Sequence, residues 1–248
     1  MFGDPIDQAE PGAVMRPMIR EAIILAGGLG TRLRSAVPDL PKCMAPVAGR
    51  PFLSYIIDYL LEQGVERFIF ALGYKSGAIE DFVRTKKLRH ELSVEKEPLG
   101  TGGAIRLACT HAREENALVL NGDTFFGIDA RMLAATHAEN QAHCTLCLKP
   151  MQNFDRYGVV ELGTGGRVHR FREKQFYEKG LINGGVYALR VPHFLEQALP
   201  EKFSFEKDWL EKNDPARPLY GLVQDGYFID IGIPEDYERA QRETDKMK

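Results

Sequence analysis

Apolar positions along this chain follow two rhythms. Short unbroken apolar runs bounded by Gly, Asn or Asp predict buried strands over residues 22–25, 67–72 and 117–120, and another over 142–148. Elsewhere the spacing is helical. Phe52, Leu53, Ile56, Ile57, Leu60 and Leu61 recur on one face, and Pro51 before them and Gly64 after them bracket a helix. Ile79, Phe82 and Val83 predict a core-facing helix over 76–84, and Ile105, Ala108, Cys109 and Ala112 mark the buried face of another. Asp129 reads as a helix cap, Ser204 as the cap of a helix leading to Trp209, and residues 234–243 as a terminal amphipathic helix. Residues 92–95 predict a short strand. Residues 157–161 and 168–173 predict two strands joined by a hairpin-like turn at Gly163 to Gly166. The run 181–187 is a strand broken by Gly184 and Gly185, a pattern of a bulge or a close backbone approach. Strand and helix alternate over 248 residues, which predicts one large α/β domain.

Composition narrows this. Hydrophobic content of 44% and a net charge of -3 fit an ordinary soluble protein and argue against a general nucleic-acid or anionic-membrane surface, so any anion site must be local. No apolar run approaches the ~18 residues of a membrane span. Residues 1–20 carry Pro5, Pro11 and Pro17 without an apolar segment, which predicts a poorly ordered tail ahead of a domain over 21–248. Cys43, Cys109, Cys144 and Cys147 make no disulfide framework in so long a chain without an export signal, and the location expected is cytoplasmic. Cys144 and Cys147 have redox or half-zinc spacing, but in a strand positions three apart point to opposite faces, so buried structural thiols are expected.

Chemistry concentrates where apolar runs break. The run 22–25 opens into Gly27, Gly28 and Gly30, where a backbone without Cβ atoms can approach a ligand and turn N–H groups toward phosphate oxygens. Thr31 adds a hydroxyl, and Arg32 and Lys42 add positive charge. A Walker loop does not fit, nor does the dinucleotide fingerprint, whose third glycine is replaced by Leu33. A second glycine-rich turn, Glu97 to Ala104, opens another helix. Asp123 follows Asn121-Gly122 at a strand's carboxyl end, where open α/β sheets bind ligands, and Asp230 ends another predicted strand. The two acids are expected to meet at one sheet edge. Arg170, Arg172 and Lys174 make a locally basic stretch, and Asn183 offers both donor and acceptor.

Gly-Gly-x-Gly-Thr-Arg-Leu followed by Pro41-Lys42 resembles the signature of the sugar-1-phosphate nucleotidyltransferases. The resemblance implies a single-domain, Rossmann-like three-layer α/β/α fold of glycosyltransferase-A type with a mixed, mostly parallel sheet, here without a C-terminal β-helix. It implies as partners a nucleoside triphosphate and a sugar 1-phosphate, converted to NDP-sugar and pyrophosphate, with no nucleic acid or membrane partner. Assembly as a homo-oligomer stays open. It assigns Leu25, Gly27, Gly28, Gly30, Thr31, Arg32, Pro98, Thr101, Gly102 and Gly103 to the nucleotide. Arg32 would take the β- and γ-phosphates, Lys42 the region of the α-phosphate, and Asp123 with Asp230 a Mg2+ ion. Gly158, Glu173, Lys174 and Asn183 would take the acceptor, since the quartet at 171–174 is similar to the family's Glu-Lys pair. The stretch from Leu40 to Leu53 looks most like the D-glycero-D-manno-heptose 1-phosphate guanylyltransferases, with Cys43 where proline is usual. A hexose-1-phosphate uridylyl-, thymidylyl- or cytidylyltransferase stays open, as does a silent nucleotide-sugar sensor.

Overall fold

Alternation of side chains builds the centre of the molecule. In β1 (Glu21–Leu25) Ala22 and Ile24 enter one apolar core and Ile23 the other, which is what a strand covered on both faces requires. The structure is a computed structural model, and it describes residues 17–27, 40–73, 76–212, 214 and 216–248. After β1 come the two-residue strands β2 (Pro46–Val47) and β3 (Arg50–Pro51), then α1 (Phe52–Glu62), β4 (Arg67–Leu72), α2 (Gly77–Thr85), β5 (Arg89–Val94) and α3 (Gly100–Cys109). The middle of the chain holds β6 (Asn116–Asn121), β7 (Thr124–Phe126), α4 (Ala130–Glu139), β8 (Cys144–Phe154), β9 (Val159–Leu162) and β10 (Val168–Arg172). It closes with β11 (Tyr177–Arg190), α5 (Val191–Leu195), a π-helical turn (Phe205–Leu210), β12 (Leu219–Val223), β13 (Phe228–Asp230) and α6 (Pro234–Arg242).

Among the described residues one sheet runs in the order β10-β9-β11-β6-β1-β4-β5, with β8 on β11 and β12 on β8. Its centre, β5-β4-β1-β6, is parallel, and β11 joins β6 antiparallel. Helices α1, α2 and α4 contribute to the core on one face, and α3, α5 and the π-helical turn to the core on the other, giving three layers. Cys147 lies in the first core and Cys144 in the second, so the pair points to opposite faces.

Several elements depart from expectation. β5 begins at Arg89 because its polar first half is held by backbone pairing to β4 rather than by burial. β8 and β11 form a long antiparallel pair that reaches Phe154 opposite Tyr177, and the register of β11 slips between Asn183 and Tyr187, where Gly185 takes φ of 70°. Leu61 belongs to the helical apolar pattern but is 43% exposed at the end of α1. Of residues 17–20, assigned from sequence to the tail, Pro17, Met18 and Arg20 are exposed, but Ile19 is buried and the Arg20 carbonyl accepts from the N–H groups of Glu66 and Arg67. Asp230 is not on the main sheet. β13 pairs with β7 in a separate two-stranded ribbon, Asp230 opposite Thr124.

Candidate functional site

The parallel strands deliver their carboxyl ends to one crevice, as open α/β sheets do. A cleft of about 320 Å3 has Leu25, Ala26, Gly27 and Ala71 along its floor. Glu95, Pro98, Gly100 and Thr101 line it too, as do Lys42, Asn121 and Asp123. Gly27 is required by its neighbour strand: a Cβ there would come within 2.7 Å of the Gly73 nitrogen. Gly28, Gly30, Thr31 and Arg32 lie outside the described residues. The second glycine-rich turn runs directly into α3, whose first turn holds Gly100 to Gly103. Gly102 and Gly103 do not line the cleft, unlike Gly100 and Thr101 of the same turn. A Cβ on Gly102 would overlap the Phe203 ring and one on Gly103 the Glu201 carbonyl, so close packing accounts for both glycines. Thr101 is a tie as well as a wall, donating to Glu206 Oε2 at 2.8 Å while accepting from the Phe205 N–H at 2.9 Å.

Asp123 and Asp230 come together although 107 positions separate them in sequence, since 230 − 123 = 107. The turn after β6 is tied to β1 by the Gly122 N–H on the Leu25 carbonyl, and the Ile231 N–H donates to the Asp123 carbonyl at 3.1 Å. Lys42 Nζ stands 3.1 Å from Asp123 Oδ2. It and Asp230 Oδ1 both border the space that a side chain at Gly232 would fill, at 3.4 and 2.8 Å. Burial, and after it the Asp123 carboxylate, raises the Asp230 pKa, while the Gly232 N–H, Lys42 and Arg156 pull it back. Two carboxylates converging beside one ammonium form a place where a cation is favoured. No cluster of three or more His, Cys, Asp or Glu surrounds it among the described residues. That donor set fits Mg2+, which is held by one or two carboxylates and completes its shell with waters and substrate phosphates.

Lys42 is carried by a 3-10 turn over Lys42–Met44, closed by the Met44 N–H on Pro41 and the Ala45 N–H on Lys42. Cys43, at the position where proline was expected, is buried beneath it. Burial, with a contribution from Asp123, pushes its thiol up to about 12. It is neutral packing rather than a nucleophile.

A second cleft, about 540 Å3, adjoins the first at Asn121 and includes Asp230 in its wall. Gly158, Glu173, Lys174 and Asn183 all line it. Asn183 is partly engaged: its Nδ2 donates to the Tyr187 hydroxyl at 2.8 Å and its Oδ1 accepts from the Gly185 N–H at 3.1 Å, which fixes the bulge. One further hydrogen and one further lone pair remain for a ligand.

Three residues of these clefts have no functional role in the sequence reading. Glu95 follows β5 directly, much as Asp123 follows β6 and Asp230 closes β13, and the same signal could have found it. Its Oε2 accepts from the Leu99 N–H at 2.6 Å, and the residue lines the first cleft. Glu206 and Lys207, read from sequence as structure, line the second cleft from the π-helical turn. Glu206 Oε2 takes hydrogen bonds from Thr101 of the first cleft and Ser204 of the second, and so links the two.

The nucleotidyl transferase family matches residues 21–247 of this chain. The chain is 49% identical over 225 residues to the D-glycero-alpha-D-manno-heptose 1-phosphate guanylyltransferase of Aneurinibacillus thermoaerophilus, across 90% of this chain and 97% of that one. It is 47% identical over 219 residues to the Campylobacter jejuni protein of the same name, across 88% and 96%. Among solved structures, HddC from Yersinia pseudotuberculosis complexed with GMP-PN superposes with a TM-score of 0.81 at 36% identity, covering 91% of this chain and 100% of that one.

Proposed function

The chain belongs to the nucleotidyl transferase family, and from that premise we propose that it joins GTP to D-glycero-α-D-manno-heptose 1-phosphate, releasing pyrophosphate and GDP-heptose. The two heptose 1-phosphate guanylyltransferases, nearly half identical over nearly their whole length, support the substrate pair. The observation that carries the chemistry is the Asp123–Lys42–Asp230 cluster between two adjoining clefts.

A phosphate oxygen of the sugar phosphate attacks the α-phosphorus. One P–O bond forms and the bond to the β-phosphate oxygen breaks, its electrons leaving on pyrophosphate. The attacking oxygen is already anionic, so no general base is required. The protein's work is to align two repelling anions and neutralise charge. Mg2+, when bound, supplies positive charge to the phosphates, and Asp123 and Asp230 are the side chains to hold it. Lys42 then exchanges its carboxylate partner for phosphate. Arg32, with Gly28, Gly30 and Thr31, is assigned to the β- and γ-phosphates.

Lys174 and Lys207 supply positive charge to the sugar phosphate, and Glu173, Asn183 and Glu206 accept from sugar hydroxyls. Glu95 gives a physical reason for guanine. Guanine presents N1–H and N2–H donors together on one edge, which a carboxylate accepts, whereas adenine presents a lone pair there and is repelled. Four buried, unpaired thiols suit a reducing compartment, and we place the activity in the cytoplasm.

Pyrophosphate release measured with each of the four NTPs against a panel of sugar 1-phosphates tests the reading. GTP with the heptose 1-phosphate is expected to give the highest kcat/KM. A hexose phosphate with UTP, dTTP or CTP outperforming it would overturn the substrate assignment, and no turnover with any pair would identify a silent nucleotide-sugar sensor.

A further inference from the structure

The carboxylate of Asp230 is held from behind. The Gly232 N–H donates to Oδ1 at 2.8 Å, and the Tyr157 hydroxyl donates to Oδ2 at 3.4 Å. Arg156 Nη2 stands 3.7 Å from that same oxygen. Arg156 Nη1 in turn donates to Asp236 in the first turn of α6, and Asp236 also pairs with Arg239 at 3.0 Å. The guanidinium lies over the Tyr157 ring, 5.5 Å from its centre. One side chain therefore ties three separate parts of the chain: the turn between β8 and β9, strand β13 and helix α6.

Asp230 needs such a tie. Its strand has three residues and pairs only with β7 in a short ribbon outside the main sheet, so backbone pairing fixes the carboxylate less firmly than a central strand would. A lone arginine beside a cation-binding carboxylate would repel the cation. Asp236, which Arg239 shares, offsets part of that charge, so the pair contributes orientation with a reduced net field. Arg156 is not among the residues that line either cleft, so it is placed to act through Asp230 rather than on a ligand. We propose that Arg156, pinned by Asp236, is a positioning residue that holds the Asp230 carboxylate against Asp123 so that both acids grip one divalent cation. The inference rests on the reading that these two acids hold the metal, and the test separates the two.

Mn2+ affinity, read from the electron paramagnetic resonance of the free ion, can be measured without turnover on the full chain with a GTP analogue whose α–β bridge is uncleavable. Arg156→Met should weaken Mn2+ binding by roughly 10- to 100-fold, the usual effect of losing a partner that orients a ligand. Arg156→Lys should recover part of it, and Asp236→Asn should reproduce part of the loss by leaving the guanidinium unpinned. In an Asp230→Asn background, Arg156→Met should cost nothing more. Wild-type affinity in Arg156→Met overturns the proposal, as does a full additive loss on top of Asp230→Asn. If Arg156→Met does not fold, wild-type affinity in both Arg156→Lys and Asp236→Asn overturns it equally. Should Asp230→Asn itself bind Mn2+ normally, the two-acid metal reading fails. Should it bind weakly while the Arg156 variants bind normally, only the positioning role fails.

Discussion

Lys42 illustrates what a residue type gives away and what it withholds. Its charge beside a glycine loop marks an anion site, yet in the structure its ammonium rests on Asp123 at 3.1 Å. The proposed phosphate contact requires Lys42 to give up that carboxylate. Asp123 and Asp230 were legible because each ends an apolar run, the position that feeds a ligand crevice. Glu95 was not singled out, because the strand it follows is polar at its start and reads as barely a strand. Its assigned role predicts that Glu95→Gln lowers kcat/KM for GTP by roughly 10- to 100-fold, matching the ~1.5–3 kcal/mol of a hydrogen bond to a charged group. The amide, which can both donate and accept, should at the same time narrow the preference for GTP over ATP. Steady-state kinetics with both nucleotides check this, and an unchanged GTP/ATP ratio would remove Glu95 from base recognition.

At the scale of elements, glycines were legible as places of close approach but not as to what approaches. Sequence reads Gly102 and Gly103 as ligand contacts, whereas the structure packs them against the segment at 201–203, since a helix can come that near another chain segment only where it lacks side chains. The distinction has a measurable consequence. Gly102→Ala should destabilise the protein by about 1–3 kcal/mol through overpacking against Phe203. Gly77→Ala, at the open start of α2 where an added Cβ meets nothing within 4 Å, should stabilise it by about 0.4–1 kcal/mol. Thermal unfolding of the two variants reads both, and equal melting temperatures would contradict the packing account. The π-helical turn Phe205–Leu210 was legible only as a capped helix. Its Ser204 cap is in the sequence, but its reach to Thr101 through Glu206 depends on tertiary packing. Similarly, the lengths of β8 and β11 were hidden because their outer halves are too exposed to show an apolar run.

For the whole molecule, the unbroken apolar runs and the helical patterns carried the fold, since both faces of the central strands are covered and each face needs its own helices. The order of strands was not in the pattern. Nothing local tells β11 to insert beside β6, or a two-stranded ribbon to return Asp230 to the turn after β6. Tertiary structure supplies that convergence, and the proposed chemistry rests on it. Its most direct test is Mg2+-dependent pyrophosphate release from GTP and the heptose 1-phosphate by the wild-type protein beside folded Asp123→Asn and Asp230→Asn variants. Turnover in the wild type and its loss in both variants is the predicted result; near-normal Mg2+-dependent rates in either variant would contradict it.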